Sequence, residues 1–266
     1  MDIKQIKIGI ISLGLIGGSI FKALKKHHFE IVCFSTNEKT SNTLRKEGFE
    51  VSNDLNIVKD CNVIFVCSPM RNVLDILDKL ENIVDKNTIV TDVSSLKEFV
   101  CKKQRPYIFI PSHPMAGKET SGFDVSCEDL FEGANWVLTP FNNTLDEKIN
   151  LLKDIIKLTG ANIVIANPQQ HDEAVGLISH MPLVLSQALI KSVEGNELAK
   201  TLAATGFKDM TRLCLSSTVM AQDMVRMNGD NIKNALNLVF ENSDALIENY
   251  STEIIEKIKK TRNEIY

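Results

Sequence analysis

Through residue 165 the chain alternates short β-rich runs with stretches in which apolar residues recur every three or four positions. Residues 6–11 are nearly all apolar or β-branched. Residues 16–26 follow with Ile16, Ile20, Phe21 and Leu24 on one helical face. Segments 31–34, 63–67, 88–91, 107–110, 136–139 and 162–165 read as further strands, and 73–80 and 145–158 as amphipathic helices between them. Strands that are apolar on both faces and alternate with helices predict a mainly parallel sheet covered on both sides. After Asn167-Pro168 no strand pattern follows. Segments 169–177, 182–193, 217–227 and 232–260 read as helices. In the last of these Ile232, Leu236, Val239, Ser243, Leu246 and Tyr250 keep three-to-four spacing. The pattern therefore predicts an α/β chain in two parts, a sheet domain over 1–166 and an all-helical domain over 167–266. A helical layer this small exposes apolar surface it cannot cover alone, so a homodimer through it is expected.

Composition narrows the classes. The 266 residues are 44% hydrophobic with a formal net charge of −4. Lys25-Lys26 and Lys102-Lys103 are isolated pairs, so no nucleic-acid footprint is expected. No apolar stretch approaches the roughly 18 residues that suggest a membrane span. The N-terminus, Met1-Asp2-Ile3-Lys4, runs into the first strand without a signal-peptide pattern. The cysteines Cys33, Cys61, Cys67, Cys101, Cys127 and Cys214 are scattered, with no Cys-x-x-Cys pair and no metal-ligand spacing. They read as reduced thiols of a cytoplasmic protein.

Ser12-Leu13-Gly14-Leu15-Ile16-Gly17-Gly18 lies between the first strand and the first helix. Glycines there let the backbone turn sharply and approach a pyrophosphate at a helix N-terminus. Gly14, Leu15, Ile16 and Gly17 are accordingly candidate cofactor-binding residues, and the N-terminal domain reads as a Rossmann-type dinucleotide-binding fold. Ser12 stands where the first glycine of G-x-G-x-x-G belongs. The alternative is close helix-on-strand packing with no ligand. About 20 residues past the loop an acid would select the ribose diol of NAD. Ser35 takes that place, and Thr36, Asn37 and Lys39 are compatible with a 2′-phosphate. The cofactor is therefore NAD or NADP. Ser68, in the Ser68-Pro69 turn, would lie along the nicotinamide half.

The chemistry centres on segment 112–122, Ser-His-Pro-Met-Ala-Gly-Lys-Glu-Thr-Ser-Gly. It places His113 just beyond a strand, at the edge that faces the ligand crevice of an open α/β sheet. Histidine accepts a proton near neutral pH, and a serine such as Ser95, after Asp92-Val93-Ser94, can orient it. Glu119 follows the glycine turn. In the helical half, His171-Asp172-Glu173 and Ser179-His180-Met181-Pro182 open successive helices, where packing or capping is an equal alternative for both histidines. Lys208 and Arg212 are four apart and would share a helix face suited to carboxylates, unless that face is simply solvated.

Taken together, Gly14 to Ser19, Asp92-Val93-Ser94-Ser95-Leu96-Lys97, segment 112–122, His171-Asp172, Ser179-His180-Met181-Pro182 and Gly206-Phe207-Lys208-Asp209-Met210-Thr211-Arg212 resemble the prephenate dehydrogenase family of tyrosine biosynthesis, arogenate-using relatives included. The resemblance implies an oxidative decarboxylation with hydride transfer to NAD or NADP. It implies that His113 meets the ring hydroxyl and that Ser95 orients His113. Arg212 and Lys208 would hold substrate carboxylate, Ser179 would line the pocket, and Glu119 would belong to a gating ion-pair network. It also implies a dimer through the helical domain. Two positions depart from the family pattern: Leu183, where many members carry a second histidine, and Ala221, where many place a tryptophan. Leu183 keeps arogenate in view as substrate. With the chain ending at Tyr266, no appended regulatory domain is expected. A β-hydroxyacid dehydrogenase, with Lys208 as its acid/base, and a non-catalytic nucleotide sensor are the competing readings.

Overall fold

The computed structural model describes residues 5–118 and 120–265. Its N-terminal half runs β1 (Lys7–Ile11), α1 (Leu15–Lys25), β2 (Glu30–Phe34), α2 (Glu38–Lys46), β3 (Glu50–Ser52), β4 (Val63–Val66), α3 (Met70–Leu80), β5 (Ile89–Asp92), α4 (Glu98–Cys101) and β6 (Ile108–Phe109). These six strands form one parallel sheet in the order β3-β2-β1-β4-β5-β6. That order reverses between β1 and β4, which opens the ligand crevice at their carboxyl ends. Period-two alternation divides the core. Ile8, Ile10, Val63 and Phe65 face one layer with Phe21, Leu24 and Trp136, whereas Ile11, Ile64 and Val66 face another with Val73, Leu77 and Phe109.

A second, three-stranded sheet follows. β7 (Ser112–Pro114) pairs antiparallel with β8 (Asn135–Leu138), which pairs parallel with β9 (Asn162–Ile165); α5 (Asp146–Lys157) lies between the last two in sequence. The single parallel sheet expected from the pattern is thus two sheets. The Ile110 N–H still bonds the Val90 carbonyl, but Pro111 has no N–H, and the chain leaves the first sheet there. His113 consequently sits on a strand, opposite Val137, rather than past a strand's end.

The remainder is helical: α6 (Pro168–Val175), α7 (Met181–Ser192), α8 (Glu197–Leu202), α9 (Thr205–Met210), α10 (Thr218–Met227), α11 (Gly229–Glu248) and α12 (Thr252–Ile265). The helix expected over 232–260 is split at Asn249, where α11 ends. The two helices expected around 169–193 are instead joined by a π-helical turn, Gly176–His180. The resulting Pro168–Ser192 helix is 25 residues long with a mean hydropathy of 1.4 in its most apolar window, enough by length and composition to cross a membrane. A third of that window is buried inside the fold, while Leu177, Ile178 and Ile190 are exposed. His171, Asp172, His180, Met181 and Leu183 are all buried against neighbouring elements.

An apolar cluster and an ion pair are among the contacts that tie the halves together. Met70 and Leu96 form one apolar cluster with Val175, Leu183, Ala221 and Met224. Arg71 on α3 grips Asp223 on α10 with Nε at 3.2 Å and Nη2 at 2.9 Å, and also donates to the Val219 carbonyl.

Candidate active site

β1 delivers the chain to Ser12, whose φ of 73° is the left-handed conformation a glycine adopts at no steric cost. Serine is held there by its N–H bond to the Phe34 carbonyl (2.9 Å) and by its Oγ against Ser68 Oγ (2.7 Å). The departure from the glycine fingerprint is therefore absorbed without changing the turn. Gly14 caps α1 with open space where a side chain would stand. A Cβ on Gly17 would overlap the Ser12 carbonyl oxygen and reach Cys67 Cβ at 3.0 Å, so only glycine lets α1 sit this close to the β1 turn. Leu15 and Ile16 lie half-buried in the first turn. That turn carries no acidic residue and no side-chain cap, leaving its N–H groups available to an anion. A dinucleotide pyrophosphate fits this cradle.

Ser35 is buried at the end of β2, and its Oγ accepts the Asn37 N–H. Asn37 caps α2 through its amide oxygen, and Lys39 pairs with Asp124 at 2.7 Å. Two of the three groups read as compatible with a 2′-phosphate thus already have partners.

His113 sits on a hydrogen-bonded platform. The buried Ser112 hydroxyl donates to the Asp92 carbonyl (2.7 Å) and accepts from Thr91 Oγ1 and Trp136 Nε1, both at 2.9 Å. Fully buried Lys97 donates to Asp92 Oδ2 and to the Ser112 carbonyl, both at 2.6 Å. Burial pulls its ammonium below the ordinary lysine value, against the Asp92 charge that raises it. His113 Nδ1 lies 2.9 Å from His171 Nε2, and His171 Nδ1 lies 2.7 Å from Asp172 Oδ1. Burial, then the neighbouring His171, Lys97 and His180, hold His113 well below the ordinary histidine range. It is neutral at physiological pH, as a general base must be.

Residues 20–165 match the profile of the prephenate dehydrogenase nucleotide-binding domain, and residues 167–263 that of the prephenate dehydrogenase dimerization domain. The chain belongs to the prephenate dehydrogenase family. Prephenate dehydrogenase of Bacillus subtilis is 32% identical over 238 residues, which cover 84% of this chain and 64% of that protein. Among solved structures, Synechocystis arogenate dehydrogenase superposes with a TM-score of 0.82 at 30% identity, covering 97% of this chain and 98% of that one. Aquifex aeolicus prephenate dehydrogenase, in complex with hydroxyphenyl propionate and NAD+, superposes with a TM-score of 0.85 at 28% identity, covering 98% and 99%.

Within this family member the other candidate residues are placed as follows. Ser95 Oγ donates to the Met70 sulfur at 3.2 Å, and the direct partner of His113 is His171. Ser179 lies half-buried in the π turn, one residue before buried His180. Lys208 and Arg212 do not share a helix: α9 ends at Met210, and Arg212 opens the 3-10 turn Arg212–Leu215. Lys208 instead lines a cavity of about 710 Å³ with Gln187, Lys191, Lys200, Phe207 and Thr211, and neither His113 nor Ser95 is in that lining. An acid/base role for Lys208, as a β-hydroxyacid dehydrogenase would need, has no support in that placement. Glu119 lies outside the described residues. Leu183 and Ala221, the two departures from the family pattern, meet in the same apolar cluster between the halves. The sequence reading assigned no role to Lys97, Asp92 or Asp172. A lysine five residues after an aspartate at a strand end was the available signal for the buried pair.

Proposed function

We propose that this protein is a prephenate dehydrogenase, converting prephenate to 4-hydroxyphenylpyruvate and carbon dioxide with NAD or NADP as oxidant. The observation that carries the reading is His113. It is neutral, backed by His171, and carried on the β7 strand of a chain whose β1–α1 turn is shaped for a dinucleotide. Bound NAD(P) would supply the hydride acceptor, held by Gly14, Leu15, Ile16 and Gly17 at the α1 N-terminus, with Ser35 and Ser68 beside it. His113 takes the proton of the ring hydroxyl. As that oxygen becomes a carbonyl, its carbon gives up hydrogen as hydride; the bond from the ring to its carboxylate then breaks, the electron pair completes the aromatic ring and returns the carbonyl to a phenol oxygen, and that oxygen takes back the proton from His113. Ser95 presents its hydroxyl to the same substrate oxygen. Arg212 holds a substrate carboxylate. Ser179 lines the pocket, and Glu119 belongs to its gate.

Leu183 favours one second reading. It puts a buried aliphatic side chain where many family members carry a histidine, so the far end of the substrate meets no imidazole there. Arogenate, with an amino group in place of the keto group, is the alternative substrate, and its product would be tyrosine. We further propose a division at residue 166, in line with the two matched profiles, and a cytoplasmic homodimer. Exposed Leu198, Leu202, Met210, Leu215, Phe240 and Ile247 on the helical half supply apolar surface for that contact. The test is purified protein with prephenate or arogenate crossed with NAD and NADP, following reduced nicotinamide. Turnover of either substrate supports the reading. Nucleotide binding with no turnover of either overturns it in favour of a sensor.

A further inference from the structure

Buried His171 is hydrogen-bonded to the reacting histidine and buried Asp172 stands behind it, and the proposed reaction uses neither. Three donors converge on the Asp172 carboxylate. The Lys97 N–H reaches Oδ1 at 2.7 Å and the Glu98 N–H reaches Oδ2 at 2.9 Å, both from the start of α4. The third contact is His171 Nδ1, at 2.7 Å from Oδ1. A carboxylate only accepts, so His171 Nδ1 carries hydrogen. A neutral imidazole has one donor and one acceptor, so His171 Nε2 is then an acceptor. It faces His113 Nδ1 at 2.9 Å, and that nitrogen must donate. The remaining nitrogen of His113, Nε2, is left with its lone pair.

We propose that His171 and Asp172 are positioning residues that lock His113 in the Nδ1–H tautomer, with Nε2 as the proton acceptor. The opposite order sets two lone pairs facing each other across 2.9 Å. Two backbone donors also fix the Asp172 carboxylate where it accepts from His171 Nδ1. His180 does not compete for the contact, because Asn228 Nδ2 donates to its Nδ1 at 3.1 Å and to the Asp172 carbonyl at 3.0 Å. The relay also joins the halves chemically. Asp172 and His171 come from α6, the groups they order from α4 and β7. Packing of α6 against α4 therefore sets the proton position of a residue on β7. This inference rests on the proposed role of His113.

The test is nitrogen-15 NMR of histidine-labelled protein with bound nucleotide, with His113 assigned by its loss in His113→Asn. Wild type should show His113 protonated at Nδ1 and bare at Nε2. In His171→Leu the Nε2–H form should appear, and kcat should fall at least about tenfold with KM within roughly twofold, as expected of a misordered general base. His171→Gln, whose Oε1 still accepts from Nδ1–H, should recover most of that loss. Wild-type His113 protonated at Nε2, or identical tautomers in wild type and His171→Leu, would overturn the relay. The spectrum needs no turnover. An ordered tautomer in an inactive protein would sink the proposed reaction and leave the relay standing.

Discussion

Replacing Lys97 with methionine removes the charge at the centre of the platform beneath His113. The ammonium is fully buried and makes two bonds of 2.6 Å, to Asp92 Oδ2 and to the Ser112 carbonyl. Hydrogen bonds to charged groups contribute about 1.5–3 kcal/mol each. Breaking one side of a buried pair costs about 3–5 kcal/mol, because the other charge stays behind. Asp92 retains the N–H groups of Ser94 (3.0 Å) and Ser112 (3.2 Å), which solvate it in part. Methionine fills most of the vacated length. A loss of about 3–5 kcal/mol is therefore expected. The assay is urea unfolding followed by tryptophan fluorescence. Trp136 is the sole tryptophan and bonds Ser112 Oγ directly, so the probe sits on the platform itself. A loss below about 1 kcal/mol would refute the reasoning, since an exposed pair would cost no more.

Gly17→Ala should destabilise by about 1–3 kcal/mol and raise the nucleotide KM, because the new methyl overlaps the Ser12 carbonyl oxygen; in an open helix the same change stabilises, so equal or greater thermal stability would refute the packing. The acid limb of kcat/KM should have its midpoint well below pH 6.5, because neutral His113 is the working form and its proton affinity is depressed. A midpoint at or above 6.5 would exclude His113 as the group seen. His180 is pushed down to about 4 by burial, so the unfolded chain takes up a proton near pH 6.5 that the folded chain refuses until about pH 4. Its contribution is intact above pH 6.5 and is lost as pH falls toward 4, by about 3 kcal/mol in all. Denaturant midpoints of wild type and His180→Gln across that range should diverge; parallel curves would contradict the burial.

Five strands of the six-stranded sheet were legible because apolar residues dominate them, as in the Lys7–Ile11 and Val63–Val66 strands, and because helices with an apolar stripe separate most of them. β3 and α2 left no such trace. In α2 only Thr40, Ser41 and Leu44 are buried, so the helix has almost no hydrophobic stripe to read. β7 was invisible for another reason: three residues, Ser-His-Pro, held in place by Asp92, Lys97 and Trp136 rather than by apolar alternation. The π turn also escaped, since a proline two residues after His180 reads as a new helix start. In the structure the wider turn carries the chain into Pro182 without ending the helix. His113 was found through its motif. Its partner His171 lies 58 residues away, and no local period encodes a tertiary hydrogen bond.

The central claim is that His113 is the base in a nicotinamide-linked oxidation of a cyclohexadienol. The most direct measurement compares wild type and His113→Asn for turnover of prephenate and arogenate alongside nucleotide affinity. The account predicts a fall in kcat of at least about a hundredfold with nucleotide binding unchanged. Near-normal turnover by His113→Asn would contradict it.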